Sequence, residues 1–405
     1  MKKEYIETTT SSLSVNVVAS HAESLRKTVE TTYTVRVYEN GFIGVAGQVG
    51  KADWRALEKQ AVENLSLGIP YPDDLTSDAV EKQDTRRNIV STDRFVKIVD
   101  SLLKKLVQVA PDFIFSNKIQ YYESNTHYRN SENVDLAYCG NEMNVILCVK
   151  SKASANIIDF AVECNIDEYS EDKVVSDVKM LCDAYNNTIP LENGKYTVVA
   201  PDYLFFSDAL SNFTGELYAT GASLFKDMLG RKILNDHLTL ESDRRNRLNV
   251  AFFDAEGTIE SSDNSAIIEN GVFKRVIANK KVAAQFNLPR AIGSNASYDS
   301  VPSPGARGIG IKNTAGNLSE IIGNEKAIFI LSASGGDITT SGDYATPCEV
   351  ALLIENGKPV GRLPKLNLFG NIRDFLGEDF IGASDKGLFE YKTSLAVAKM
   401  NVSVI

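Results

Sequence analysis

The residues able to bind a metal or to activate water are few in this chain. A zinc-dependent hydrolase site uses two or three nitrogen or sulfur ligands and an acid that activates water. The 405-residue sequence has three histidines, His21, His127 and His237, and no two of them lie within five residues of each other. No helix with a pair of histidines is predicted, and each histidine is expected to be a surface or hydrogen-bonded structural residue.

The five cysteines are the other candidates for metal or covalent chemistry. They are an odd number, widely spaced, and include no C-x-x-C pair. This pattern is typical of reduced thiols in a cytosolic protein and argues against a disulfide framework, so a cytoplasmic location is predicted. Most of them are expected to be small buried residues. They are Cys139, Cys148, Cys164, Cys182 and Cys348.

Several other classes of protein are disfavoured by the sequence. It contains neither a G-x-S-x-G nucleophile elbow nor a G-x-x-x-x-G-K-[ST] phosphate-binding loop. The formal net charge of −10 disfavours binding to a nucleic-acid backbone. No apolar run is long enough to cross a membrane, and no apolar segment follows the two lysines of MKKEYIETTTSS. Neither nucleic acid nor a membrane is expected as a partner.

The elements that must position any site predict an α+β fold with two domains, because 405 residues exceed one ordinary core. Alternating strands and amphipathic helices over 1–190 indicate an antiparallel sheet with packed helices at 51–66, 92–109 and 171–186. The Pro- and Gly-containing stretch 186–196 marks the boundary. Residues 191–405 are predicted to form a mostly β domain.

Turn chemistry adds detail to this outline. Glu-Asn-Gly occurs at 39–41, 192–194, 269–271 and 355–357. Each copy lies beside apolar runs and predicts a hairpin, because Asn-Gly suits the positive φ angles of a tight turn. The polar stretches 67–91 and 286–318 predict long connections between elements.

The segment YLFFSDALSNFTGE at 203–216 predicts one amphipathic helix with a buried face. Ser207 stands where an N-cap is expected, and Asp208 follows near the positive end of the helix dipole. The apolar positions that recur every three or four residues are Phe206, Ala209, Leu210, Phe213 and Leu217.

Several stretches of the C-terminal half resemble the TldD/PmbA (TldD/TldE) family, which is named for peptidases and for a supposed modulator of DNA gyrase. The most specific is SGGDITTSGDYATPCEVALLIENGKPVGRL at 334–363. Further stretches at 224–240, 252–287 and 367–384 are similar to family segments, and the N-terminal half matches more loosely.

The resemblance implies where a metal site lies in catalytic members of the family. Those members carry His-Glu-x-x-x-His on a helix and a cysteine further on as a third ligand. The corresponding positions here are Ser207, Asp208, Asn212 and Cys348, so only the thiol is retained. Serine and asparagine are poor zinc ligands. No metal or other cofactor is therefore expected, and zinc is possible only if an altered site includes Cys348.

The resemblance therefore implies a non-catalytic subunit, similar to TldE/PmbA, that helps a peptidase to handle peptides. Its partners would be a second copy or a metal-bearing TldD-like subunit, together with a peptide or unfolded protein segment. One alternative is an active peptidase that uses Cys348 with support from Asp208, Glu216 or Asp343. Another is a scaffold or binding protein without a proteolytic role.

Overall fold

The computed structural model of the chain describes residues 1–242, 244, 249–262, 265–289 and 291–405. Its N-terminal half contains one large sheet, three α-helices and two short 3-10 turns at Asn64–Leu67 and Thr92–Arg94. The strands are β1 (Lys2–Val18), β2 (His21–Glu39), β3 (Phe42–Val49), β4 (Ile69–Pro70), β5 (Val80–Asp84), β6 (Phe113–Asn130), β7 (Asp135–Ser151) and β8 (Phe160–Ile166). The helices are α1 (Trp54–Glu63), α2 (Phe95–Val109) and α3 (Glu171–Asn186).

The N-terminal sheet has the order β4-β3-β2-β1-β6-β7-β5, and β8 pairs with β7 beside β5. Its long strands pair antiparallel, except that β5 runs parallel to β7. One face is covered by α2, whose buried residues recur at helical spacing, and by α3. The antiparallel sheet with packed helices predicted from sequence is confirmed.

The C-terminal half is mostly β, as predicted. The helices within its described residues are α4 (Asp202–Phe206), α5 (Gly215–Thr220), α6 (Lys280–Phe286), α7 (Leu318–Ile322) and α8 (Ile372–Phe375). Its strands are β9 (Gly194–Pro201), β10 (Leu240–Ser242), β11 (Ala266–Glu269), β12 (Val272–Phe273), β13 (Ser294–Asn295), β14 (Ser303–Pro304), β15 (Ile309–Ile311), β16 (Ala327–Ala333), β17 (Asp337–Ile338), β18 (Asp343–Glu355), β19 (Lys358–Arg362), β20 (Leu366–Asn371), β21 (Phe380–Ser384) and β22 (Leu395–Val404).

The main C-terminal sheet has the order β16-β9-β22-β20-β18-β17, with β19 paired to β18 and β21 to β22, and β16 also pairs antiparallel with β18. Smaller sheets are formed by β12-β11-β10-β15 and by β13-β14, so the long connection predicted at 286–318 contains short strands. The connection predicted at 67–91 likewise includes β4 and β5. The two large sheets lie on either side of residue 190, while the domain boundary itself stays a prediction.

Three of the four predicted Asn-Gly hairpins are confirmed, since these turns connect β2 to β3, β11 to β12 and β18 to β19. In each turn both residues have positive φ, for example 53° at Asn40 and 80° at Gly41. The hairpin predicted at 192–194 is wrong, because α3 rather than a strand precedes β9. Asn193 instead accepts a hydrogen bond from the backbone N–H of Val404 at 2.8 Å.

The continuous helix predicted over 203–216 is also wrong. The segment contains the end of α4, a 3-10 turn at Leu210–Phe213 and the start of α5. Extended backbone at Thr214 breaks it, since the residues on either side pair with the backbone of Ile277. Gly215 donates to that residue at 2.9 Å, and Phe213 accepts from it at 2.8 Å. This long-range pairing overrides the local amphipathic pattern.

A buried network of charges joins the two halves of the chain. Glu4 on β1 lies 3.1 Å from Arg36 on β2 and 3.6 Å from the ammonium of Lys280 on α6. The three side chains are at most 3% exposed. Arg36 also donates to the backbone oxygen of Ala255, and Lys280 donates to that of Glu256 at 3.3 Å. The carboxylate of Glu4 therefore partly compensates two buried cations, one from each half of the chain.

Removing one charge from this network is predicted to destabilise the fold strongly. Glu4→Gln keeps the shape of the side chain but takes the carboxylate away from two buried cations. We expect a loss of about 3 kcal/mol or more in the free energy of unfolding, measured by urea denaturation. The control is Glu7→Gln on the same strand. The Glu7 carboxylate is half-buried and forms no ion pair with a described residue, so we expect the free energy of unfolding to change by no more than about 0.5 kcal/mol. A loss below about 1 kcal/mol for Glu4→Gln would contradict a stabilising network.

Candidate functional site

The four positions singled out from the sequence lie on three neighbouring parts of the C-terminal half. Strand β9 leads directly into α4, and the carboxylate of Asp202 at the helix start accepts from the backbone N–H of Ile311 at 3.0 Å. Ser207 ends this helix with αR backbone angles and is not its N-cap. Ser207 and Asp208 then form an exposed turn before the 3-10 turn that contains Asn212.

Of these two exposed residues, Asp208 lies close to the first residues of β18. Its carboxylate lies beside Gly336 and next to the ring of Tyr344, where a Cβ on Gly336 would meet both within 3.3 Å. Burial raises the pKa of the Tyr344 phenol to about 12, and the charge of Asp208 adds to that shift. The Tyr344 hydroxyl has no hydrogen-bond partner among the described residues. Sequence reasoning missed Tyr344, although it stands inside the Gly-Asp-Tyr stretch.

Asn212 is a structural residue. Its side-chain oxygen accepts from the backbone N–H of Leu224 at 2.9 Å, and its backbone oxygen accepts from the Ser223 hydroxyl at 2.7 Å. The amide is therefore committed to holding the 223–225 loop. The side chains of Asn212 and Asp208 are therefore not placed to bind the same metal ion.

Cys348 lies in the middle of β18 and is 1% exposed. It packs in the same apolar cluster as Phe206, Ala209 and Leu366. Burial raises the pKa of its thiol to about 12, while a backbone hydrogen bond from Leu368 lowers it only in part. Because the thiolate is the nucleophile and the metal ligand, the neutral buried thiol suits neither role.

The residues offered in support of a cysteine-based site do not converge on Cys348. Asp343 is exposed at the start of β18, where it accepts from Ser341 at 2.6 Å and Asn371 at 3.0 Å. These hydrogen bonds lower the pKa of its carboxyl group. Glu216 lies exposed in the first turn of α5. Neither is placed to take a proton from the thiol.

The donor set does not fit a transition metal. Within the described parts of the chain, no group of three histidine, cysteine, aspartate or glutamate side chains is arranged to hold an ion. His127 pairs with Asp135 at 2.8 Å in the N-terminal sheet, and His21 and His237 are exposed. All five cysteines are free thiols, as predicted.

A cavity that sequence reasoning did not find lies between the two large sheets. It has a volume of about 420 Å³. Its walls are β8, the inner side of α3, the β9–α4 junction, β16 and the segment 389–394. We call it the interdomain cavity. It extends to Tyr203, whose backbone oxygen accepts from the N–H of Ser207 at 2.8 Å, so it lies one helical turn from the Ser207 position.

Comparisons with known proteins place these observations in context. Residues 193–403 match the sequence profile described as the PmbA/TldA metallopeptidase C-terminal domain. A metalloprotease TldD homolog of Buchnera aphidicola is 26% identical over 220 residues, which are 53% of this chain and 44% of that protein. A metalloprotease of Methanocaldococcus jannaschii is 26% identical over 197 residues, or 46% of this chain and 43% of that protein. Each alignment spans less than half of the relative's length.

Solved structures show the same fold. The crystal structure of TldE from Thermococcus kodakarensis has a TM-score of 0.82 at 16% identity, over 99% of this chain and 96% of that one. A Thermotoga maritima protein described as a candidate modulator of a DNA gyrase has a TM-score of 0.74 at 14% identity, with the same coverage. Separately, no helix within the described residues is long and apolar enough to cross a membrane.

Cys348 is predicted to resist alkylation in the native protein. Brief treatment with iodoacetamide near neutral pH should label half-buried Cys139 while leaving Cys348 unmodified until urea is added, because a thiol with pKa about 12 holds almost no thiolate. Peptide mass spectrometry measures both sites in one sample. Labelling of Cys348 as fast as Cys139 would show an accessible, activated thiol.

Restoring the family motif is predicted not to restore a metal site. In the variant S207H/D208E/N212H, the first two side chains stand on an exposed turn, and position 212 is directed towards the 223–225 loop. We expect well under one equivalent of zinc by elemental analysis after dialysis. The control adds Cys348→Ala and should bind equally little. A full equivalent of zinc that is lost with Cys348→Ala would contradict this geometry.

Proposed function

The chain belongs to the PmbA/TldD metallopeptidase family, and we propose that it is a subunit of that family without a metal centre of its own. In this role it associates with a metal-bearing TldD-like subunit, or with a second copy of itself, and holds an extended peptide or unfolded segment. Hydrolysis is the task of the metal-bearing partner. The reduced cysteines fit a cytoplasmic location for this assembly.

The observation that carries the proposal is the donor set at the four motif positions. Two of them, Ser207 and Asp208, are exposed, and they offer a hydroxyl, which is a weak zinc ligand, and a single carboxylate. The amide of Asn212 is bound to Leu224, and the thiol of Cys348 is buried and neutral. A catalytic zinc needs three protein ligands of nitrogen, sulfur or carboxylate type around one open position.

The likeness to known proteins supports the same proposal. The fold agrees over nearly the whole chain with a protein named TldE. The curated relatives that carry the name metalloprotease share 26% identity. A family fold that lacks its ligands is suited to shaping a substrate-binding cavity for a partner, and the interdomain cavity beside α4 provides one.

A reconstitution experiment tests the proposal. The full chain, a purified TldD-like subunit that carries His-Glu-x-x-x-His, and their mixture are compared by light scattering after gel filtration and by hydrolysis of an unfolded peptide with zinc present. We expect no hydrolysis by the chain alone, a defined complex in the mixture, and hydrolysis by the complex about tenfold faster than by the metal-bearing subunit alone.

The alternatives give different outcomes in the same experiment. Hydrolysis by the chain alone that disappears in Cys348→Ser would establish a peptidase with an altered site. Failure to associate with the TldD-like subunit, together with an absence of hydrolysis, would favour a scaffold or binding protein. A glutamine at the motif glutamate of the TldD-like subunit is the matched control, since it must abolish hydrolysis in the complex.

A further inference from the structure

We propose that a small cavity in the C-terminal half binds one halide ion, such as chloride, through the guanidinium of Arg275 and the hydroxyl of Ser294. Residues from the segments 250–254, 292–294 and 305–309 line this cavity, together with Ser242, Glu260 and Arg275. We call it the Arg275 cavity. The inference does not depend on the proposed subunit role, because it concerns a different part of the chain.

Two buried polar atoms of the Arg275 cavity lack a hydrogen-bond partner. The Nε of Arg275 and the Oγ of Ser294 have none among the described residues. The Arg275 residue is 7% exposed and Ser294 is 0% exposed, so bulk water does not reach them freely. The other two nitrogens of the guanidinium are engaged, because they donate to the backbone oxygens of Ile292 at 2.9 Å and Ser265 at 3.0 Å. Since an unpaired buried donor is costly, a ligand that accepts from both groups is favoured.

The size of the Arg275 cavity restricts the ligand to a single small particle. Its volume is about 10 Å³. A space of roughly 10–15 Å³ on this measure holds one water molecule. Sulfate, phosphate and carboxylate ions are larger than this space, whereas a halide ion is nearly as compact as water. The candidates are therefore one water molecule and one halide ion.

Charge favours the halide over water. Arg275 and Arg307 both line the cavity, and neither forms an ion pair with a described residue. Burial lowers the pKa of the Arg275 guanidinium to about 10, and the charges of Glu260 and Asp254 offset only part of this shift. A water molecule would accept from the two unpaired donors but would leave the positive charge uncompensated. A halide ion does both, through charge-assisted hydrogen bonds.

The two carboxylates of the wall are already engaged by other groups. Asp254 accepts from four backbone N–H groups, which belong to residues 256, 258, 293 and 294. Glu260 accepts from the Ser242 hydroxyl at 3.2 Å and lies 3.7 Å from the guanidinium of Arg244. Because these partners already stabilise the two negative charges, the carboxylates oppose an anion in the cavity less than free carboxylates would.

The cavity has a solvent side and a buried end. Arg307 is exposed, and its Nε donates to the side-chain oxygen of Asn295 at 2.9 Å, so its charge lies where an anion enters from solvent. Arg275 and Ser294 form the buried end. Apolar side chains, including those of Phe253 and Ile309, line the space and exclude water. Such surroundings strengthen the attraction between a bound anion and Arg275.

The halide site is connected to the contact between the two halves. The backbone N–H of Ser294 donates to the Asp254 carboxylate, and its backbone oxygen accepts from the N–H of Ala255, each at 3.2 Å. The backbone oxygen of Ala255 in turn accepts from the guanidinium of Arg36 in the N-terminal sheet. An anion that holds Ser294 therefore stabilises the turn that meets the N-terminal half.

Anomalous diffraction from crystals of the full chain in sodium bromide tests the site directly, because bromide scatters anomalously and water does not. We expect an anomalous peak within hydrogen-bond distance of the Arg275 Nε and the Ser294 Oγ. The same crystals of the variant Ser294→Ala should show a weaker peak at this position, since one of the two donors is gone.

Thermal unfolding in sodium chloride, sodium bromide and sodium gluconate at one ionic strength tests the site in solution. Gluconate is too large for the cavity, so we expect both halides to raise the unfolding midpoint of the unmodified chain by about 2 °C over gluconate, with saturation. In Ser294→Ala we expect the affinity for halide to fall about tenfold, because a hydrogen bond to the ion is lost. The matched control is Ser303→Ala on β14, an exposed serine outside the cavity wall, which should respond to halide like the unmodified chain. The midpoints in gluconate show that each variant is folded.

Three results overturn the proposal. Electron density without an anomalous peak at the site assigns it to water. The same response to halide in Ser294→Ala as in the unmodified chain, or the same loss of response in Ser303→Ala, shows a general effect of salt. An anomalous peak without saturable stabilisation in solution shows binding at crystal concentration only. Complex formation with the TldD-like subunit is a separate measurement, so the proposed subunit role is judged independently.

Discussion

The buried charge network around Glu4 is the constraint on which the arrangement of the two halves depends. A buried carboxylate without a cation costs several kcal/mol, and the same is true of a buried guanidinium or ammonium. Glu4 and Arg36 come from the N-terminal sheet, while Lys280 and the backbone of 255–256 come from the C-terminal half. Glu4 and Arg36 pair within the N-terminal half, and Lys280 reaches Glu4 from the C-terminal half, so the network links the two halves.

Apolar contacts fix the same arrangement from both faces of the N-terminal sheet. On one face, Val145 and Leu147 of β7 share a core with α3 and with Phe329 and Leu352 of the C-terminal sheet. On the other face, a smaller cluster joins the same strand to the 252–253 segment; its members are Tyr128, Val134, Leu136, Tyr138, Phe252 and Phe253. The C-terminal half therefore contacts both faces of the N-terminal sheet. The interdomain cavity lies between the two halves, beside β8.

The contacts between the two halves and within the C-terminal half also explain why the four motif positions do not form a metal site. The residues of 203–216 are placed by distant partners, namely Ile311 for Asp202, Leu224 for Asn212 and Ile277 for Gly215. Cys348 is placed by the apolar cluster under the C-terminal sheet. Each contact satisfies a backbone group or buries an apolar one, and none orients a ligand.

Local physics allowed much of this protein to be predicted from its sequence. Asn-Gly turns fixed three hairpins, because positive φ is a property of the two turn residues themselves. Amphipathic spacing located α2 and α3. Only the tertiary structure decided the rest. The break at Thr214, the neutral thiol of Cys348 and the cavity beside β8 arise from contacts between residues far apart in the chain, and the pairing, burial and empty space that such contacts create have no signature in local sequence.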